Sequence, residues 1–161
     1  MKTQILKKML FNCLSLIVAS ASFSQTTVTS KCAADFSCSQ KNGMTITERE
    51  YTLTVVYNKD TLKFTTRNGI TFPALNTYSI TKKTDKYVVG TNSEGNYGFL
   101  DIKRKQFYNI DYYMSRYITA GYGSQTTEVK EMVLKMMDIL KEGGSQKDVV
   151  QELIKQAEYD F

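Results

Sequence analysis

The sequence predicts an α+β fold: an antiparallel β-meander of about six strands covered by a C-terminal two-helix hairpin. Three observations lead there. From Met44 to Met114, short segments of alternating apolar and polar residues follow one another between polar turns. Tyrosine and threonine, whose flat or branched side chains pack well on a pleated surface, are abundant through that stretch. Beyond residue 125 the apolar residues change to the three-four spacing of a helix face.

The chain begins with a basic segment containing Lys2, Lys7 and Lys8, followed by an apolar stretch from Met9 to Ala19 and small residues at Ala19, Ala21, Ser22 and Ser24. This is the order of a secretory signal. The apolar stretch is about half the ~20 residues that a spanning helix needs. Residues 1–24 are therefore expected to be a leader, cleaved before Ser22 or before Gln25 with Gln25 favoured, and the mature protein to be periplasmic or secreted with no transmembrane segment. Three of the 21 basic residues and none of the 16 acidic ones lie in the leader. The mature charge is then near balance, which removes the concentrated basic face that nucleic-acid binding requires.

Residues 25–43 are rich in Ser, Thr, Gln and Lys and read as a flexible arm, with a Cys32–Cys38 disulfide formed in an oxidising compartment. A single α+β domain over 44–161 follows. Leu53, Val55 and Tyr57 alternate, as do Leu62 and Phe64, and a two-residue loop at Lys59-Asp60 sets Val55 opposite Phe64 and Tyr57 opposite Leu62. Asn68-Gly69 is a type I′ turn signal, and Pro73, which cannot donate a ladder hydrogen bond, marks an edge, bulge or break. Tyr78-Ser79-Ile80 and Tyr87-Val88-Val89 flank a polar tip at 83–86. Tyr97 to Ile102 and Phe107 to Met114 flank another, with Phe99 expected opposite Ile110 and Tyr97 opposite Tyr112. This last pair is apolar on both faces, so each face needs a cover.

The cover is the C-terminus. Val129, Met132, Val133, Met136 and Leu140 share one face of a helix over about 126–142. Gly143-Gly144 ends it, and Ser145 with Asp148 forms a capping box for a second helix over 146–158, whose apolar face holds Val149, Val150, Leu153, Ile154 and Ala157. The methionines Met132, Met136 and Met137 can form an adaptable binding surface, but Met132 and Met136 share the core-facing stripe, so packing is the simpler account.

Histidine occurs nowhere. Ser-His-Asp and Cys-His catalysis within the chain are thereby excluded, and the commonest metal ligand is missing. Two mature cysteines without histidine do not make a tetrahedral zinc site. No metal and no cofactor are expected. A histidine-free enzyme falls back on carboxylates, and the best pair is Asp101 and Asp111, with Glu48 and Glu50 behind it. The expected register sends Asp101 and Asp111 to opposite sheet faces, against a shared cleft. The densest feature is aromatic: Tyr97, Phe99, Phe107, Tyr108, Tyr112, Tyr113, Tyr117 and Tyr122. Of these Tyr113, Tyr117 and Tyr122 are expected to be exposed and able to contact a ligand. The basic tips, Lys82, Lys83 and Lys86 with Lys103, Arg104 and Lys105, fall at one end of a meander and can converge on an anionic surface. The function expected is a non-enzymatic exported binding module for a protein, a glycan or an envelope component. Two alternatives stay open: a carboxylate hydrolase of envelope polymers, and a lipid carrier if the meander closes into a barrel around an apolar cavity.

Overall fold

The computed structural model describes residues 24–66 and 76–159. The leader up to residue 23, the Asn68-Gly69 turn and Pro73 lie outside the described residues.

The fold is α+β, but among the described residues the meander has eight strands and closes on itself. The strands are β1 (Thr26–Ser39), β2 (Gly43–Tyr57), β3 (Thr61–Thr66), β4 (Thr77–Lys83), β5 (Tyr87–Thr91), β6 (Tyr97–Asp101), β7 (Gln106–Tyr113) and β8 (Arg116–Tyr122). Each pairs antiparallel with the next, and β1 closes the barrel on β8 through Phe36↔Gly121 and Cys38↔Thr119. Helices α1 (Thr126–Lys141) and α2 (Gln146–Glu158) follow, with the Ser145–Asp148 capping box in place. Among the described residues, no helix is long and apolar enough to cross a membrane.

Two expected features of the N-terminal part are corrected. Residues 25–43 are not a flexible arm: Thr26–Ser39 is β1, the second longest strand. Ser30, Cys32, Ala34, Phe36 and Cys38 recur with period two and are buried, but most are small and hidden among Ser, Thr and Lys. The Cys32–Cys38 disulfide is absent: both thiols are free and buried. Six residues along a strand span about 20 Å, whereas bridged Cα atoms lie within about 7 Å. A register irregularity between Cys32 and Ala34 also parts them, so that Cys32 packs in one apolar cluster and Cys38 in the other. An eighth strand lies past the expected end at Met114; its alternating Ile118, Ala120 and Tyr122 carry the period-two pattern.

The β2–β3 register is as expected, with Val55↔Phe64 and Tyr57↔Leu62. Asn58 turns that hairpin by accepting from the backbone N–H of Asp60 (2.7 Å) and Thr61 (2.8 Å) through Oδ1. The β6–β7 register is shifted by two: Phe99 faces Tyr108, Tyr97 faces Ile110 and Asp101 faces Gln106. Lys105, with φ 55°, completes the turn one residue earlier than expected, and Gln106 joins the strand. A two-residue shift preserves side-chain parity, so each residue keeps its face.

Two cores result. The inner one takes side chains from all eight strands, among them Cys32, Leu53, Val55, Leu62, Phe64, Tyr78, Val88, Leu100, Phe107 and the partly buried Tyr122, and fills the barrel interior. The outer one joins Phe36, Val89, Phe99, Tyr108 and Ile110 to the apolar faces of both helices, including all three helical methionines. The doubly apolar strands thus receive a cover on each side. Gly121 permits the outer contact, since a Cβ there would lie 2.7 Å from Val133 and 2.8 Å from Val129.

Candidate ligand-binding site

The barrel has two unlike ends. One carries the turns at 58–60, 84–86 and 102–105, and the other those at 40–42, 92–96 and 114–115.

The first end holds the basic tips. The turns at 84–86 and 102–105 are adjacent there: the Ile102 N–H donates to the Lys86 carbonyl at 2.9 Å. Arg104, however, is committed to structure. Its Nη1 donates to Asp101 Oδ2 (3.0 Å) and to the Gln156 carbonyl (3.1 Å), and its Nη2 to the Tyr159 carbonyl (3.4 Å). The guanidinium therefore ties the barrel to the end of α2. Lys83 Nζ donates to the Asn58 carbonyl (3.4 Å) and lies 5.7 Å from the Tyr57 ring centre. Lys103 and Lys105 are exposed.

The second end holds the exposed aromatics. Tyr112, Tyr113 and Met114 form the β7–β8 tip, and Tyr113 is 60% exposed. Tyr117 is half-buried, 4.8 Å from Tyr112 between ring centres, and its N–H donates to Gln40 Oε1. Tyr122 is not on the surface. Its ring lies inside the barrel, 5.4 Å from Phe64 and 6.3 Å from Phe107, because residue 122 shares the inward parity of its neighbours. The tyrosine and lysine candidates thus divide between opposite ends and do not form one contact face.

Inside the second end the barrel lining turns polar. Phe107, Asn109 and Asp111 share the inward face of β7, and Tyr113 continues that parity past the rim. On β2, Arg49 shares the parity of Tyr51, Leu53 and Val55. Arg49 Nη2 pairs with Asp35 Oδ2 at 2.5 Å and the guanidinium lies over the Tyr51 ring at 5.3 Å. Asn109 Nδ2 donates to Asp111 Oδ2 at 2.8 Å. Asp35 Oδ1, Arg49 Nε and Asn109 Oδ1 are buried without a hydrogen-bond partner among the described residues. Such groups cost about 1–3 kcal/mol each when left unpaired, and here they share one barrel end.

The electrostatics tie them together. Burial pushes the Tyr122 hydroxyl well above the usual tyrosine range, with Asp35 and Asp111 adding to the rise and Arg49 opposing it. All three charges therefore act on one interior hydroxyl. Tyr78 is raised by burial and, to a lesser degree, by Asp111. Burial pushes Asp111 itself up to about 6, against the hydrogen bond from Asn109 and with a smaller contribution from Glu94.

The expected carboxylate dyad is not brought together. Asp101 lies on the outer face, held by Arg104 beside the helices, while Asp111 lines the interior. Glu48 pairs across from Ala34, whose side chain packs in the outer core, and is exposed there. Among the described residues, no group of three or more metal-ligating side chains is assembled.

Asp35, Arg49 and Asn109 were not candidates on sequence grounds. Asp35 lay in the supposed arm. Arg49 had a legible signal, a charge two residues before Tyr51 in the inward phase of a strand.

The molecule is thus a closed eight-stranded antiparallel barrel with a two-helix buttress and a polar interior at one end. No protein-family model, no curated protein and no solved structure matches the chain.

Proposed function

We propose that the protein is an exported binding module, without chemistry of its own, that takes a small polar ligand into the barrel end lined by Asp35, Arg49, Asn109 and Asp111. Tyr113 stands at the rim, and the leader pattern of residues 1–24 supports a periplasmic or secreted location. The observation that carries the proposal is that Asp35 Oδ1, Arg49 Nε and Asn109 Oδ1 are buried and unpaired among the described residues, with Asp35, Arg49 and the Asn109-bonded Asp111 all acting on the Tyr122 hydroxyl inside the barrel. Unpaired groups that cost stability in the free protein are what a ligand can satisfy on arrival. The lipid-carrier alternative draws no support from the other half, where Leu53, Val55, Leu62, Leu100 and Phe107 pack side chain to side chain. The hydrolase alternative loses its Asp101–Asp111 pair to opposite sides of the barrel wall.

Native mass spectrometry of the protein recovered from the exported fraction tests this. The expected result is a copurified small molecule that is released on denaturation. A bare mass, together with recovery only from the cytosol, would contradict both the binding and the export.

A further inference from the structure

The free groups have a chemistry that selects among ligands. Two of them, Asp35 Oδ1 and Asn109 Oδ1, accept hydrogen bonds, and one, Arg49 Nε, donates. Asn109 is only 7% exposed, so water from bulk does not substitute freely for a partner there. Asp35 and Arg49 already form an ion pair, which leaves the Asp111 carboxyl on the inner wall, with Arg116 opposite Tyr113 at the rim. Glu94, in the turn at this end, adds to the field of Asp111.

An anion is disfavoured by that residual negative charge. An ammonium ligand satisfies the two acceptors but offers nothing to Arg49 Nε and places a cation beside a guanidinium. A hydroxyl both donates and accepts, so a polyol matches a set of two acceptors and one donor. The rim supplies a second, independent requirement. Tyr113, on the inward parity of Asp111, presents an exposed ring, which suits the apolar C–H face of a sugar.

We propose that the polar end of the barrel is a binding site for a neutral saccharide, its hydroxyls paired with Asp35, Arg49 Nε and Asn109 and its ring face set against Tyr113. The site rests on the binding-module proposal above and adds the ligand class to it.

Isothermal titration of the purified protein, expressed from the full-length chain, tests the class. The probes are a panel of neutral sugars (glucose, galactose, N-acetylglucosamine and cellobiose), spermidine as a polyamine and octanoate as an anion. At least one sugar is expected to bind with Kd below about 1 mM. Arg49→Lys keeps the charge and the reach to Asp35 but removes Nε. It is expected to weaken that sugar about tenfold, the effect of one charge-assisted hydrogen bond, with the melting temperature unchanged. Tyr113→Ala, at the exposed rim and outside the core, is expected to weaken it severalfold. Failure of every sugar to bind, or equal binding by wild type and both variants, would overturn the proposal. Binding of spermidine or octanoate alone would also overturn it while leaving the binding module standing. If no probe binds and the native mass is bare, both fall.

Discussion

The two halves of the barrel interior solve opposite problems. Around Phe107 the lining is apolar and filled: Phe64 stacks on Phe107 at 4.4 Å, Tyr78 and Tyr122 lean on the same ring, and Leu53, Val55 and Leu62 close the remainder. Two residues further along β7 the same face reaches Asn109 and then Asp111, which bond each other but leave Asn109 Oδ1 without a partner among the described residues. A single strand thus passes from a region whose side chains satisfy one another fully to one where they do so only in part. Stability resides in the first half and unspent hydrogen-bonding capacity in the second.

The largest break in that contrast is Phe107→Ala. The ring is fully buried and central to the aromatic cluster, and its loss is expected to cost about 3–5 kcal/mol, read by chemical denaturation. At the polar end the sign reverses. Asp111, raised to about 6 by burial, holds its proton more tightly in the folded protein than in the unfolded chain, where the ordinary value is 3.8. Stability contributed by this group is therefore full below the ordinary carboxylate range, falls as pH rises through about 6, and is level above that. Asn109, Glu94, Tyr78 and Tyr122 are the groups that act on it or feel it. Asp111→Asn is expected to stabilise the protein at neutral pH by on the order of 2–3 kcal/mol and to flatten the pH dependence of the melting temperature between pH values of about 4 and 6.

A smaller effect sharpens the apolar side. A Cβ on Gly98 would lie 3.0 Å from three atoms of the Tyr78 ring. Gly98→Ala must displace that ring and is expected to cost about 1–3 kcal/mol, with a shift in the tyrosine near-ultraviolet signal. The smallest effect lies at the rim. Met114 (φ 46°) and Ser115 (φ 60°) form a two-residue hairpin turn in the left-handed region without a glycine. Replacing them with Asn-Gly is expected to stabilise the fold by about 1 kcal/mol, seen as a higher melting temperature.

The same contrast explains what could be read in the sequence. Helix positions, the capping box and the β2–β3 register were legible because local periodicity and turn chemistry decide them. The faces of β6 and β7 were legible because parity survives a register shift of two. Strand β1 was not, since its buried positions are mostly Ser, Ala and Cys and carry little hydropathy signal. Closure was not legible either: the β1–β8 pairing joins residues from Phe36↔Gly121 to Ser39↔Ile118, far apart in the chain, and depends on β1 being a strand. The site followed β1 into obscurity. Asp35 gains meaning only when β1 runs beside β2 and places it next to Arg49, and Tyr122 looked exposed only while β8 was unassigned. Asp111 and Tyr113 were visible beforehand, but as parts of different ideas.

The central claim is that the polar end is kept for a ligand and not for the fold. The quadruple variant Asp35→Leu, Arg49→Met, Asn109→Leu, Asp111→Leu tests it most directly, because it replaces each group found unpaired among the described residues, and the Asp111 carboxyl that Asn109 pairs, by an apolar one of similar size. Thermal unfolding of this variant beside native mass spectrometry of its copurified material gives both readings on one sample. The account predicts a melting temperature equal to or above that of the wild type, as expected when unsatisfied buried groups are removed, together with loss of the bound molecule. A destabilised variant that still retains the molecule would contradict it.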